Sequence, residues 1–157
     1  MNKITRHLFV AAMVFLGQSG VARADEDRDS CSLTTLRGTY LFTATGHNIV
    51  AGVPQPKTII EVLEFDGNGI VSAPKVTRSI NGVVAHLTGA GGYTVDASCG
   101  GTITFDPPSV GIPAVTFDVF FTPGADTLWL IQTNQGSVFQ GTATRLSHRA
   151  SGDRDHD

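Results

Sequence analysis

From Leu36 to Leu146, apolar and polar residues alternate in short runs broken by Gly, Pro, Asn and Asp. A period of two puts every second side chain on one face of a strand, and no stretch carries an extended helical period of 3.6. The pattern predicts strands at Leu36–Thr45, Lys57–Phe65, Ile70–Ser79, Val83–Thr88, Gly92–Ala97, Thr102–Asp106, Ala114–Thr122, Thr127–Thr133 and Ser137–Leu146. In the first, Leu36, Gly38, Tyr40, Phe42 and Ala44 share a face. Ala114–Thr122 sorts cleanly, with Val115, Phe117, Val119 and Phe121 opposed to Thr116 and Asp118. Trp129, Leu130 and Ile131 are apolar on both faces, which predicts cover inside and out.

Turn chemistry separates these runs: Asp66-Gly67-Asn68-Gly69, Asn81-Gly82, Pro123-Gly124-Ala125-Asp126 and Asn134-Gln135-Gly136. Pro107 to Pro113 reads as a loop, because proline donates nothing to a ladder. His47 reads as part of a loop before Pro54. Thr88-Gly89-Ala90-Gly91-Gly92 reads as a flexible Gly-rich break. Eight or nine antiparallel strands on short connections leave two exposed edges unless the sheet closes. The fold class is therefore all-β, an antiparallel up-and-down β-barrel of about eight strands, with a two-sheet sandwich as the alternative.

The ends of the chain differ from this middle. Lys3 and Arg6 precede the apolar run Leu8–Leu16, and Ala22-Arg23-Ala24 follows it. Basic, apolar, then small-x-small is the order of a secretory signal peptide, and a spanning helix needs about 20 apolar residues. The expectation is export, with cleavage near Ala24 and a periplasmic or extracellular destination. The domain map is then signal peptide 1–24, charged leader 25–34, barrel 35–146 and a disordered charged tail 147–157. Cleavage removes Lys3, Arg6 and Arg23, leaving eight basic residues against fourteen acids, a net charge of −6. An acidic domain without a basic stripe is a poor nucleic-acid binder. No second apolar run is long enough to span a membrane as a helix. Cys31 and Cys99 make an even count in an exported chain, which favours a disulfide over a metal pair or a reactive thiol.

A family likeness rests on Cys31-Ser32, Leu36-Arg37-Gly38-Thr39-Tyr40, Phe65-Asp66-Gly67-Asn68-Gly69, Gly92-Tyr93-Thr94-Val95, Cys99 and Gly101-Thr102-Ile103-Thr104-Phe105. With these motifs the chain resembles a group of small exported bacterial proteins, over most of Cys31 to Arg145. The layout is also similar to the barrels of allene oxide cyclases and lipocalin-like proteins. That likeness implies a fold, and no catalytic residue of the cyclases is matched here.

Candidate chemistry is sparse. Asp66-Gly67-Asn68-Gly69 begins like a calcium loop, but the twelfth position holds Thr77 where a bidentate Glu belongs, so a hairpin turn is the better reading. The Gly-rich segment at 88–92 leads into a strand and offers no helix N-terminus to a phosphate. Neither Gly-x-Ser-x-Gly nor a metal-ligand spacing is present, and nothing implies a cofactor. His86 is out of phase with Ala85 and Leu87 and is expected to face outward; the tail residues His148, His156, Asp153, Asp155 and Asp157 read as a solvated run. The second strand is more informative. Glu61 alternates with Ile59, Leu63 and Phe65, and Glu64 with Ile60 and Val62, so one Glu turns inward whichever face is buried. Unless it pairs with Arg37 or Arg78 at the rim, an inward carboxylate has a raised pKa and suits a ligand anchor, an acid or a base. The ligand-pocket candidates are Glu61, Glu64, Tyr40, Phe42, Phe117 and Trp129. The leading expectation is a barrel that binds a small apolar molecule. An isomerase or cyclase acting on a hydrophobic substrate comes second, and a filled structural or surface-interaction domain third.

Overall fold

Tyr40, Phe42 and Ala44 on one strand and Phe117, Val119 and Phe121 on another turn to the same buried interior, as their alternation requires. In this computed structural model residues 30–107 and 113–147 are described. The expected signal peptide, the expected leader up to residue 29, residues 108–112 of the expected Pro107–Pro113 loop and the expected tail from residue 148 lie outside them. The strands are β1 (Gly38–Val50), β2 (Val53–Phe65), β3 (Ile70–Ile80), β4 (Val83–Val95), β5 (Gly100–Phe105), β6 (Val115–Phe121), β7 (Thr127–Gln132) and β8 (Ser137–Ser147). Each pairs antiparallel with the next, and β8 returns to pair with β1. The sheet is a closed eight-stranded barrel, and the sandwich alternative is excluded. Closure leaves no pair of sheet edges to protect.

Three local expectations are corrected. Val83–Thr88 and Gly92–Ala97 are one strand, β4, running through the glycines. Gly91 serves close approach, whereas a side chain at Gly89 would make ordinary contact. A side chain at Gly91 would collide with the carbonyl oxygen of Thr104 and come within 2.8 Å of the Phe105 Cα, and at Gly89 a Cβ would stand 3.4 Å from the Phe105 ring. Second, His47 and Pro54 lie on β1 and β2, which continue to a tip at Ala51-Gly52. Pro54 and Pro56 are tolerated because the β2–β3 ladder begins only at Lys57↔Ile80. Third, Leu36 precedes β1, in a 3-10 helix over Leu33–Leu36.

That helix closes one end of the barrel. Leu36 is fully buried, the Tyr93 hydroxyl donates to the Leu33 carbonyl at 3.0 Å, and the Cys31–Cys99 disulfide ties the segment to the β4–β5 turn. Arg145, inward on β8, donates to the carbonyls of Arg37 (2.6 Å), Thr35 (2.9 Å) and Ala125 (3.3 Å). Its guanidinium lies 4.6 Å from the Tyr40 ring centroid. Above this plug, Tyr40, Phe65 and Tyr93 stack edge to face. Phe117 then meets Phe42, Phe105 and Phe139 at mid-barrel. Among the described residues no helix is long and apolar enough to cross a membrane.

Candidate functional site

Among the described residues the strands end unevenly at the opposite end of the barrel. β1 to β4 are long, whereas the β4–β5 ladder stops at Gly91↔Phe105 and β6 starts at Val115. Residues 108–112, between β5 and β6, lie outside the described residues, and among those described no strand of β5 or β6 pairs with β4 beyond Gly91. Leu87 pairs with the buried Val76 and shares its inward phase, yet it is 41% exposed. Val115, in phase with Phe117, is 37% exposed. Leu87 and Val115 are thus apolar side chains of inward phase that remain exposed to solvent, at the end of the barrel beyond the aromatic layer around Phe117.

β2 sends three polar or charged side chains into this end from one face. Its buried residues Leu63 and Phe65 set the phase, and two-residue steps carry it through Glu61, Ile59, Lys57 and Gln55. Glu61 is 6% exposed, opposite Phe42 on β1 and Val76 on β3. Burial pushes its carboxyl up to about 7, and the positive charge of Lys57 acts against that rise. Lys57 bends inward: its ammonium donates to Gln132 Oε1 at 2.7 Å and lies 4.0 Å from the Phe139 ring centroid. Burial pushes Lys57 down to about 8, Arg78 lowers it further, and Glu61 opposes the fall. Gln132 is held in turn, taking the Ser137 hydroxyl at 2.9 Å and donating to Asn134 Oδ1 at 2.9 Å. Arg78 stands on β3 opposite Ile59.

The candidates from the sequence divide between two places. Tyr40, Phe42, Phe117 and Glu61 are all interior, but the aromatics are packed against one another as core, with Tyr40 far down at the plugged end. The Tyr40 hydroxyl is buried with no hydrogen-bond partner among the described residues. Burial raises its pKa above the usual phenol value, and Arg145 acts against that. Glu64 faces outward, with the Ser72 hydroxyl 3.5 Å from its Oε2. Trp129 is also outside. It pairs with Phe120 across β6–β7, and at 49% exposure it lines a shallow outer groove of about 660 Å³ with Ile131, Ile60, Thr43 and Thr142. The expected outer cover over β7 is thus absent among the described residues, and Trp129 is not part of the interior.

Sequence reasoning missed Lys57, Gln132 and Arg145. Lys57 shares the odd-numbered phase of Glu61, which is the signal that finds it. The Asp66 turn is closed by its own backbone. Asp66 Oδ1 accepts the amides of Asn68 (2.7 Å) and Ile70 (2.9 Å), which lower its pKa, and no cluster of three or more metal-ligating side chains occurs among the described residues. His86 faces outward, 3.3 Å from the Thr77 hydroxyl.

These features define a closed eight-stranded antiparallel barrel with a 3-10 helix packed at one end. No family model matches the chain. No curated protein matches it either. Among solved structures it is similar to a redesigned β-barrel at 19% identity, covering 74% of this chain and 96% of that one, with a TM-score of 0.46. A second redesigned β-barrel, mFAP1 bound to DFHBI, is also 19% identical, covering 73% of this chain and 98% of that one at the same TM-score.

Proposed function

We propose that this is an exported barrel that takes a small, largely apolar molecule into its open end. The observation that carries the reading is the exposure of inward-facing Leu87 and Val115 above a floor of packed aromatics, beside the buried Glu61. Apolar side chains turned inward gain by excluding water, at about 25 cal/mol per Å² of surface covered, and a ligand supplies the missing cover. The interior polar groups fix its orientation, as a few convergent polar groups do in pockets of this kind. Export supplies the setting, through the basic, apolar and Ala22-Arg23-Ala24 order at the N-terminus.

Titration with phenylnaphthylamine, a neutral apolar dye that brightens out of water, tests this reading. Saturable brightening should be lost in Leu87→Trp, which fills the mouth, and kept in Trp129→Ala, which alters only the outer groove. Brightening abolished by Trp129→Ala and untouched by Leu87→Trp would overturn it.

One observation favours the isomerase or cyclase reading as a second. Glu61 and Lys57 both titrate near neutrality inside the same apolar end, the condition for proton transfer to and from a bound substrate. Mass spectrometry of an apolar ligand pool recovered after incubation decides it. Conversion that Glu61→Gln abolishes supports the enzyme; recovery unchanged supports binding alone.

A further inference from the structure

We propose that the molecule taken at the open end carries an anionic head group (carboxylate, sulfate or sulfonate) held between Lys57 and Arg78. The inference rests on the apolar-ligand reading above and names its chemistry.

Three observations support it. The first is position. Lys57 pairs with Ile80 and Arg78 with Ile59, so the two cations are diagonal neighbours on the inner face of β2 and β3. Backbone positions in that relation stand about 7–8 Å apart, a gap that two long cationic side chains can close onto one anion. The second is orientation. A lysine at a barrel rim ordinarily extends to water, but the Lys57 ammonium is turned inward onto Gln132 and the Phe139 ring. The third is charge balance. Among the described residues the ion pair within 4.0 Å is Arg145 with Asp126, at the plugged end, so neither Lys57 nor Arg78 is neutralised by a salt bridge. Glu61 is the acid that acts on Lys57, and its own ionisation is suppressed by burial. Burial lowers Lys57 as well, so the balance rests on number: two basic groups, Lys57 and Arg78, stand against the one acid Glu61 on this face.

That sign is opposite to the rest of the molecule. The part after residue 24 carries a net charge of −6, which repels anions at long range. Selectivity for an anion therefore has to come from local groups, and Ile59 opposite Arg78, with Leu87 next in phase on β4, provides the apolar body's contacts. A cationic amphiphile finds the reverse: attraction by the bulk charge but repulsion at the seat.

The test compares anilinonaphthalene sulfonate with phenylnaphthylamine on the full chain at neutral pH. The two dyes share an arylnaphthylamine body and differ in the sulfonate. The sulfonated dye should bind about tenfold more tightly, the scale of one charge-assisted contact. Lys57→Gln and Arg78→Gln should each weaken it about tenfold while leaving the neutral dye within about twofold. Glu61→Gln should tighten it, because a repelling charge is removed. Raising salt on the unmodified protein should erode the preference, an arm that needs no variant to fold. Equal affinities, a preference that survives both cation substitutions and high salt, or weakening by Glu61→Gln would overturn the anion seat while leaving the apolar-ligand reading in place. Binding of neither dye would overturn that reading and this one with it.

Discussion

Lys57 and Glu61 stand on the inner face of β2, on either side of Ile59, and each draws the other towards its charged form while burial pushes both the opposite way. Burial dominates in both residues, so the interior of a folded barrel at neutral pH holds two groups that would ionise more readily in the unfolded chain.

This sets a pH dependence of stability. The Glu61 carboxyl rises from 4.5 to about 7 on folding, so between those values the folded state keeps a proton that the unfolded state releases, and stability falls as pH rises. Lys57 falls from 10.5 to about 8, so the folded state releases its proton first, and stability recovers as pH rises from about 8 to 10.5. The contribution of the pair is therefore lowest between about pH 7 and 8. Asp66 and Asp96, both lowered by hydrogen bonds, act below 3.8 and lie outside this window. Urea denaturation across the range should show the dip, and Glu61→Gln should flatten its acid side. A stability that climbs steadily from pH 5 to 7 through Glu61 would contradict the assignment.

Arg145 fastens the plug with three carbonyl contacts from one forked side chain. Lysine keeps the charge but cannot reach all three acceptors. Arg145→Lys should cost about 1–2 kcal/mol in chemical denaturation, because the part-buried carbonyls of Thr35 and Ala125 lose a charged donor. A loss under about 0.5 kcal/mol, the range of ordinary surface changes, would show that the plug does not depend on it.

The glycines separate into two kinds with different costs. At Gly91 an added Cβ meets the backbone of β5, so Gly91→Ala should cost roughly 2–4 kcal/mol. At Gly52 the space is open and only the positive φ of +80° resists a side chain, so Gly52→Ala should cost about 1 kcal/mol. Equal melting shifts for the two variants would refute the close-approach role.

Export and the disulfide are checked together. N-terminal sequencing of protein recovered outside the cytoplasm should begin close to Asp25, and a non-reduced digest should yield one linked peptide pair containing Cys31 and Cys99. Reduction should destabilise the domain by up to about 4 kcal/mol, since the bridge closes a loop of 68 residues. Recovery of intact Met1 in exported protein would contradict cleavage.

The barrel was legible in the sequence because most strands announce their phase by alternation, and hairpin-length turns leave little choice of neighbour. β4 was not, since Gly91 owes its identity to Thr104 and Phe105 across the ladder, partners that a local pattern does not reveal. Glu61 was narrowed to one of two positions, and the burial of Leu63 and Phe65 then chose its face. Trp129 was misplaced for a related reason. Leu128 and Leu130 are apolar like Trp129 and Ile131, so β7 has no polar face to mark the outside. Lys57 shares the inward phase of Glu61 and Arg145 that of Ala143, but alternation does not say whether a long charged side chain bends into the interior; the structure turns both inward.

The most direct measurement of the central claim is a methyl- and indole-resolved NMR titration with phenylnaphthylamine. Binding in the open end should shift the methyl signals of Leu87 and Val115 together and leave the Trp129 indole signal in place, since Trp129 lies on the outer face. Shifts confined to Trp129, Ile131 and Ile60, with Leu87 and Val115 unmoved, would place the ligand in the outer groove and contradict the account.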